Sequence, residues 1–197
     1  MTTPILPHSH LRDPGYRFCP RCGGPLQSRT VKSGEPDRLC CTACEFVFYL
    51  DPKLAAGVVA TVENRLVLLR RGIEPAYGAW VFPGGFVDRG EHPEQAAIRE
   101  AQEEAGVVVR LDGMLGIYSH PPGSHVVLVV YHGVVSEGRP RAMDESLEAG
   151  LFPPEEVPWP ELAFATTRQA VADYVRRLGL EPPAGEAPTR PWGLFGA

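Results

Sequence analysis

The chain reads as an α/β domain with a mixed sheet and helices on both faces, preceded by a small metal-binding knuckle. Three observations predict this. Apolar runs of strand length are interleaved with two stretches of helical character over most of the chain. All five cysteines lie between Cys19 and Cys44, so they form one local device and not a framework spread through a core. Hydrophobic residues make up 44% and charged residues 22%, the balance of a globular protein and not of a disordered chain.

A length of 197 residues allows one ordinary domain plus a small accessory module. The net charge of −5 supplies no basic field to recruit nucleic acid or anionic membrane. No apolar run approaches membrane-spanning length, and "MTTPILPHSH" has neither a basic nor an apolar targeting region. A cytoplasmic location is therefore expected, and there a cysteine cluster binds metal in preference to forming disulfides. The expected organisation is a flexible lead-in at 1–17, a zinc ribbon at 18–50, the main domain at 51–180 and a Pro/Gly-rich tail at 181–197. Trp192 and Phe195 are the residues able to tether that tail.

The elements follow in order. "FCPRC" and "CCTAC" are two knuckles joined by a polar stretch with turn residues at "SGEPD". "AAGVVATVENRLVLLRRG" is a β-hairpin turning at Glu63-Asn64. "AWVFPGGFVD" is a short strand broken by a glycine pair. A helix starts near Pro93, with His92 at the N-cap, and stops before Gly106. "VVVRLDGMLGIYS" and "HVVLVVYHGVVSEG" are strands, the second almost wholly apolar and so central. "AGLFPPEEV" is a short strand and an acidic turn. The closing helix offers Ala165, Val171, Tyr174, Val175 and Leu178 as its buried stripe.

The helix after Pro93 carries Glu94, Glu100, Glu103 and Glu104. Like charges three and four residues apart repel on a helix, at roughly 0.2–0.5 kcal/mol per pair. At about 100° per residue, Glu103 and Glu104 fall within roughly 60° on either side of Glu100. Ile98, Ala101 and Ala105 form an apolar stripe opposite, while Ala96 and Ala97 leave the carboxylate face free of bulk. Clustered carboxylate oxygens suit a hard divalent cation, Mg²⁺ or Mn²⁺, which keeps waters for a phosphate substrate. The plain alternative is a solvated acidic face. Gly84-Gly85 just upstream favour the cation, since their backbone can approach it closely, and Glu91 can pair with Arg99 to pin the loop.

Gly85, Glu91, Arg99, Glu100, Ala101, Glu103, Glu104, Gly106 and Val107, at those spacings, resemble the Nudix box at every fixed position. The resemblance implies a Nudix-type α/β/α sandwich and a hydrolase of nucleoside diphosphates linked to another group. It implies that Glu100, Glu103, Glu104 and the Gly85 carbonyl hold Mg²⁺ or Mn²⁺, and that Glu91 orients Arg99. The base varies in position within the family: Glu103 and Glu104 are candidates, and "MDESLEAGLF" adds Glu145 and Glu148. Candidate substrate contacts are Arg70 and Arg71 on a diphosphate, and Phe86 and Tyr118, with Trp80 and Phe82, on a planar ring. Each of these aromatics has core packing as its plain alternative. His120 and His125 lie in a loop able to cover the site.

Cys19-x2-Cys22 and Cys41-x2-Cys44, with eighteen residues between, match a zinc ribbon. Cys40 is surplus and can replace Cys41 at a less regular spacing. Zinc would act as a staple for a segment too small for its own core. A ribbon before a Nudix domain resembles two subgroups. The NADH/NAD-cap pyrophosphatases carry a "SQPWPFP"-type motif after the box, where this chain has "GIYSHPPGSH". The other subgroup, which includes plant FAD pyrophosphatases, is similar in its "FCPxCGG", "YxDPK", "YGxWxxPGG" and "ESLE…LAF" motifs. That resemblance implies FAD or ADP-ribose as the small-molecule nucleotide substrate. Competing readings are an NADH/NAD-cap pyrophosphatase, an RNA-cap hydrolase whose ribbon grips RNA, and a non-enzymatic ligand sensor or regulator. The family fold often dimerises, so a homodimer is open; no membrane or nucleic-acid partner is expected.

Overall fold

The computed structural model describes residues 15–119 and 125–183. His120, Trp192 and Phe195, and most of the lead-in and tail, lie outside the described residues. The chain divides into two compact units, Met1–Asp51 and Pro52–Ala197.

In the first unit, strands β1 (Leu26–Arg29), β2 (Arg38–Cys41) and β3 (Val47–Phe48) form an antiparallel sheet in that order. Leu26 faces Cys41 and Leu39 faces Phe48 across it. Tyr16, Phe46 and Phe48 group their rings at 4.9 and 6.4 Å. Among the described residues of this unit, only Cys19, Cys40 and Cys41 are buried. Three small side chains give too little apolar burial to hold about fifty residues, so the unit depends on its thiols.

The second unit is built on a seven-stranded mixed sheet. Strands β4 (Lys53–Val62) and β5 (Arg65–Arg71) form the hairpin. Its turn residues Glu63 and Asn64 both take positive φ, 48° and 61°, as a tight two-residue turn requires. Strand β6 (Trp80–Val81) pairs with β5, and β7 (Gly84–Phe86) pairs with β4. Helix α1 (Pro93–Ala105), strands β8 (Val107–Tyr118), β9 (Val126–Gly138) and β10 (Ser146–Phe152), two single 3₁₀ turns and helix α2 (Ala165–Arg177) complete it. The main order is β10-β5-β4-β9-β8, with β4 and β9 parallel. No helix among the described residues is long and apolar enough to cross a membrane.

Alternation along β4 builds two cores. Val58 and Ala60 pack with Ala96, Ala97, Ala101 and Ala105 of α1, whereas Val59 packs with Val171 and Val175 of α2. The expected α/β/α layering is what the chain adopts. Pro93 starts α1, and Gly106 ends it at φ 66° with its N–H on the Ala101 and Gln102 carbonyls. Gln95 caps the His92 N–H at 3.1 Å.

Four details differ from the sequence expectation. Ala96 and Ala97 are fully buried, because the helix turns that sector onto the sheet, and their small size lets it approach. Strand β9 lies one place from the edge, and β4 is the central strand. Strand β10 begins at Ser146, so Glu148 lies within a strand and not in a loop before one. In α2 the buried set is Thr167, Ala170, Val171, Ala172, Tyr174 and Val175, while Ala165 is half-buried and Leu178, past the last turn, is exposed.

Candidate functional site

The glycine pair sets the geometry. A Cβ on Gly84 would meet the Gly57 Cα at 2.7 Å and the Ala56 carbonyl at 2.8 Å, so only glycine lets β7 lie against β4 here. A Cβ on Gly85 would run into the Glu100 carboxylate, so the α1 carboxylates and the β7 backbone meet with no side chain between them. Glu104 accepts the Gly84 N–H at 2.9 Å.

Arg99 ties this arrangement together. Its Nε and Nη2 donate to the two oxygens of Glu91 at 2.9 and 3.0 Å. Nη1 reaches Glu100 at 2.8 Å and Glu103 at 2.9 Å, and Nη2 also donates to the Phe86 carbonyl at 3.0 Å. The Glu91 carboxylate further accepts the Asp88 N–H at 3.0 Å, which pins the loop between β7 and α1. The bidentate Arg99 contact, with that N–H, holds the Glu91 carboxyl down at about 2. Burial acts the other way on the cluster. It pushes Glu104 up to about 7 against the Gly84 hydrogen bond, and it raises Glu100. Glu103 remains exposed.

These groups floor a cavity of about 1090 Å³. Gly84, Gly85, Glu100, Glu103 and Glu104 all line it, as do Arg71, Phe86 and Glu145. The donor set fits a hard cation: three carboxylates, two of them partly buried, with one adjoining backbone, all opening on one space. Most of the remaining sequence candidates fall elsewhere. Arg70 donates to Glu148 at 3.2 Å and Glu161 at 3.3 Å and lies over Trp80, and none of these four residues lines the cavity. Tyr118 is buried against α2, its hydroxyl donating to Asp173 at 3.0 Å. Trp80 is core, Phe82 is buried yet reaches the lining, and His125 is exposed, its carbonyl holding the Lys53 N–H. Phe164, Thr166 and Thr167 line the cavity from the start of α2 and were not among the predicted site residues. They stand in "LAFATT", where α2 begins after its N-cap Phe164.

In the first unit the sulfurs of Cys19, Cys22, Cys41 and Cys44 lie within 4.8 Å of one another. Cys19 and Cys44 are 3.8 Å apart, and Cys22 and Cys41 are 3.5 Å apart. Four thiolates around zinc at ~2.3 Å would sit ~3.8 Å from one another, so the set fits a tetrahedral site. The Arg21, Gly24 and Ala43 N–H groups donate to Cys19, Cys22 and Cys41 at 3.4 Å, stabilising thiolate charge within each tight turn. Cys40 turns away and donates to the Arg38 carbonyl.

Comparison with known proteins agrees with this architecture. Residues 51–174 match the family model of the NUDIX domain, and residues 17–50 match that of the Nudix N-terminal zinc ribbon. The chain is 34% identical over 135 residues to an ADP-ribose pyrophosphatase of Methanocaldococcus jannaschii, covering 67% of this chain and 78% of that protein. It is 29% identical over 176 residues to the NAD-capped RNA hydrolase NudC of Stutzerimonas stutzeri, covering 85% of this chain. The match spans only 59% of that protein's own length. A solved NUDIX hydrolase from Nitrosomonas europaea superposes with a TM-score of 0.77 at 30% identity, over 84% of this chain and 95% of that one. With a cavity-facing carboxylate helix that follows a four-cysteine ribbon in the sequence, and both segments matched, the chain belongs to the Nudix hydrolase family as a member of its zinc-ribbon-containing group.

Proposed function

We propose that this Nudix hydrolase cleaves the pyrophosphate of FAD or ADP-ribose, giving AMP plus FMN or ribose 5-phosphate. The observation that carries the reaction class is the joint placement of Glu100, Glu103, Glu104 and Gly84-Gly85 on the floor of one cavity. Glu100, Glu103 and Glu104, with the Gly85 carbonyl, would hold Mg²⁺ or Mn²⁺. When bound, such a cation neutralises the pyrophosphate and activates water for in-line attack. Glu91 fixes Arg99, and Arg99 keeps Glu100 and Glu103 aimed at the cavity. Arg71, which lines the cavity, binds a phosphoryl oxygen. Glu145, which lines the cavity, accepts the proton of the attacking water in this reading, and Glu148, engaged by Arg70 away from the lining, does not.

The substrate assignment is supported by the similarity to an ADP-ribose pyrophosphatase and by the "ESLE…LAF" resemblance. NADH is the second substrate to weigh, since the similarity to NudC runs across both the ribbon and the hydrolase domain. A panel of FAD, ADP-ribose, NADH, coenzyme A and dNTPs with Mg²⁺ or Mn²⁺, read by product mass, tests both. Preference in kcat/KM for NADH or for a nucleoside triphosphate rejects the FAD/ADP-ribose reading.

A further inference from the structure

The segment between β9 and β10 carries Glu145 to the cavity, and it is held from two sides. On one side it lies against the last turn of α1. The Arg141 and Met143 N–H groups donate there to the Ala105 and Glu104 carbonyls, each at 3.1 Å. On the other side it lies against the end of β5, where the Gly72 N–H donates to the Glu145 carbonyl at 2.6 Å. Between the two, Asp144 takes a φ of 43°, and the Ser146 N–H closes the turn on the Met143 carbonyl at 2.9 Å. A non-glycine residue at positive φ persists where its surroundings over-determine it, and here hydrogen bonds flank it on both sides. Among the described residues no group hydrogen-bonds the Glu145 carboxylate, so the backbone sets its place.

Gly72 is the tightest point. It does not take a positive φ, so its backbone conformation suits any residue. Space is what excludes a side chain. A Cβ there would meet the Glu145 carbonyl oxygen at 2.7 Å, with the carbonyl carbon and the Leu147 Cδ2 each at 3.3 Å. Pairing in the sheet adds to this. Ser146 faces Arg71 and Glu148 faces Arg70, so Leu147 is the extra residue of a bulge at the start of β10. Bulges re-aim the chain beside them. The result sets Glu145 near Arg71 and Glu104: all three line the cavity, and the charges of Arg71 and Glu145 both act on Glu104.

We propose that Gly72 and the Met143 N–H are the positioning pair for Glu145. The absent side chain at 72 lets the Glu145 carbonyl seat on β5, the Met143 bond to Glu104 fixes the other side, and the carboxylate is thereby held over the cavity. The assignment rests on the reading of Glu145 as proton acceptor and adds what keeps it in place. Moving the carbonyl from 2.7 Å out to the 3.4 Å of ordinary contact would shift Glu145 by much of an ångström. A misplacement of about 1 Å can cost on the order of 100-fold in rate.

The test is a double-mutant cycle between Gly72→Ala and Glu145→Gln, with kcat and KM measured with Mg²⁺ on whichever of FAD, ADP-ribose and NADH the wild type cleaves best. Gly72→Ala should lower kcat by about tenfold or more and leave KM within about threefold. In the Glu145→Gln background, itself lowered by roughly 100-fold or more, the same change should cost less than about twofold. Leu147→Ala alone should keep wild-type kcat, and Gly72→Ala/Leu147→Ala should stay impaired, because the obstacle is the backbone carbonyl. Met143→Pro removes the N–H on the Glu104 carbonyl and should show the same kcat loss, again without further loss beside Glu145→Gln. It carries the test if Gly72→Ala does not fold. A kcat within about twofold of wild type in a folded variant, a loss that appears in KM instead, an equal loss in both backgrounds, or full rescue by Leu147→Ala overturns the positioning role and leaves Glu145 as the base. Full kcat in Glu145→Gln removes Glu145 as proton acceptor and the positioning pair with it, while the hydrolase reading stands. A wild type that cleaves none of the three nucleotides overturns the pyrophosphatase reading and both roles together.

Discussion

Glu91 grips Arg99 with both carboxylate oxygens, at 2.9 and 3.0 Å, although the two residues sit on different segments of the chain. Arg99 in turn holds Glu100 and Glu103, so Glu91 acts on the site through an intermediary. Replacing Glu91 by Gln removes the charge and one acceptor oxygen. Turnover should fall by roughly 10–100-fold, the usual effect of losing a partner that orients metal ligands. The same change has a pH signature. The Glu91 carboxyl is lowered from 4.5 to about 2, so its contribution is complete above about pH 4.5 and disappears as pH falls through about 2. Melting curves of wild type and Glu91→Gln should differ at pH 7 and converge toward pH 2. A gap that is constant across that range would exclude the ion pair as its source.

Glu103→Gln and Glu104→Gln separate site chemistry from folding. Glu103 is exposed and touches only Arg99 among the described contacts, so its loss should leave the melting temperature within a few degrees. Glu104 accepts the Gly84 N–H, which Gln can still satisfy through its amide oxygen. Turnover should nevertheless drop on the order of 100-fold or more in each, since each removes a proposed ligand charge where phosphoryl charge develops. Full activity in both variants would remove these glutamates from the site.

The ribbon predicts a metal count. Four sulfurs within 4.8 Å of one another could hold one tetrahedral metal ion, so about one zinc per chain is expected by elemental analysis of the purified protein. Cys40→Ser should retain that zinc, because the Cys40 thiol meets the Arg38 carbonyl and not the cluster. Cys22→Ser should lose it and destabilise the first unit, where three buried cysteines are the whole described interior. Zinc lost from Cys40→Ser but kept in Cys41→Ser would exchange the roles of the two.

Some of this was legible from residues alone and some was not. The limits of α1 were legible because Pro93 and Gly106 act through their own backbone, whatever surrounds them. The hairpin turn at Glu63-Asn64 was legible for the same reason. The box carboxylates stood out because their spacing alone gathers them on one helix sector. The sector's direction was not readable. Ala96 and Ala97 share the wheel angles of the carboxylates, yet the helix presses them onto the sheet while Glu100 and Glu104 reach the cavity past the glycine pair. Register was also invisible. Glu148 faces Arg70, and Ser146 faces Arg71, only because β10 pairs with β5 in one particular alignment. Tyr118 looked like a ring at a strand end open to ligand, but Asp173 arrives from α2, 55 residues away, to bind its hydroxyl.

That register makes adjacent arginines behave oppositely, since side chains of neighbouring strand residues point to opposite faces. Arg70 lies over Trp80 and pairs with Glu148 and Glu161 outside the cavity lining. Arg71 lines the cavity, with Nε on the Pro75 carbonyl and its guanidinium over Phe164. Arg70→Ala should cost about 1 kcal/mol of stability or less from its ion pairs, since both glutamate partners are largely solvated, and leave kcat and KM within twofold. Arg71→Ala should raise KM about tenfold for FAD, and Arg71→Lys should recover only part of that, because an ammonium cannot both stack and bind two oxygens. Measuring kcat and KM for the three variants alongside urea midpoints decides the matter. An Arg70→Ala enzyme crippled in KM, with Arg71→Ala unaffected, would mean that β5 presents the other face to the substrate.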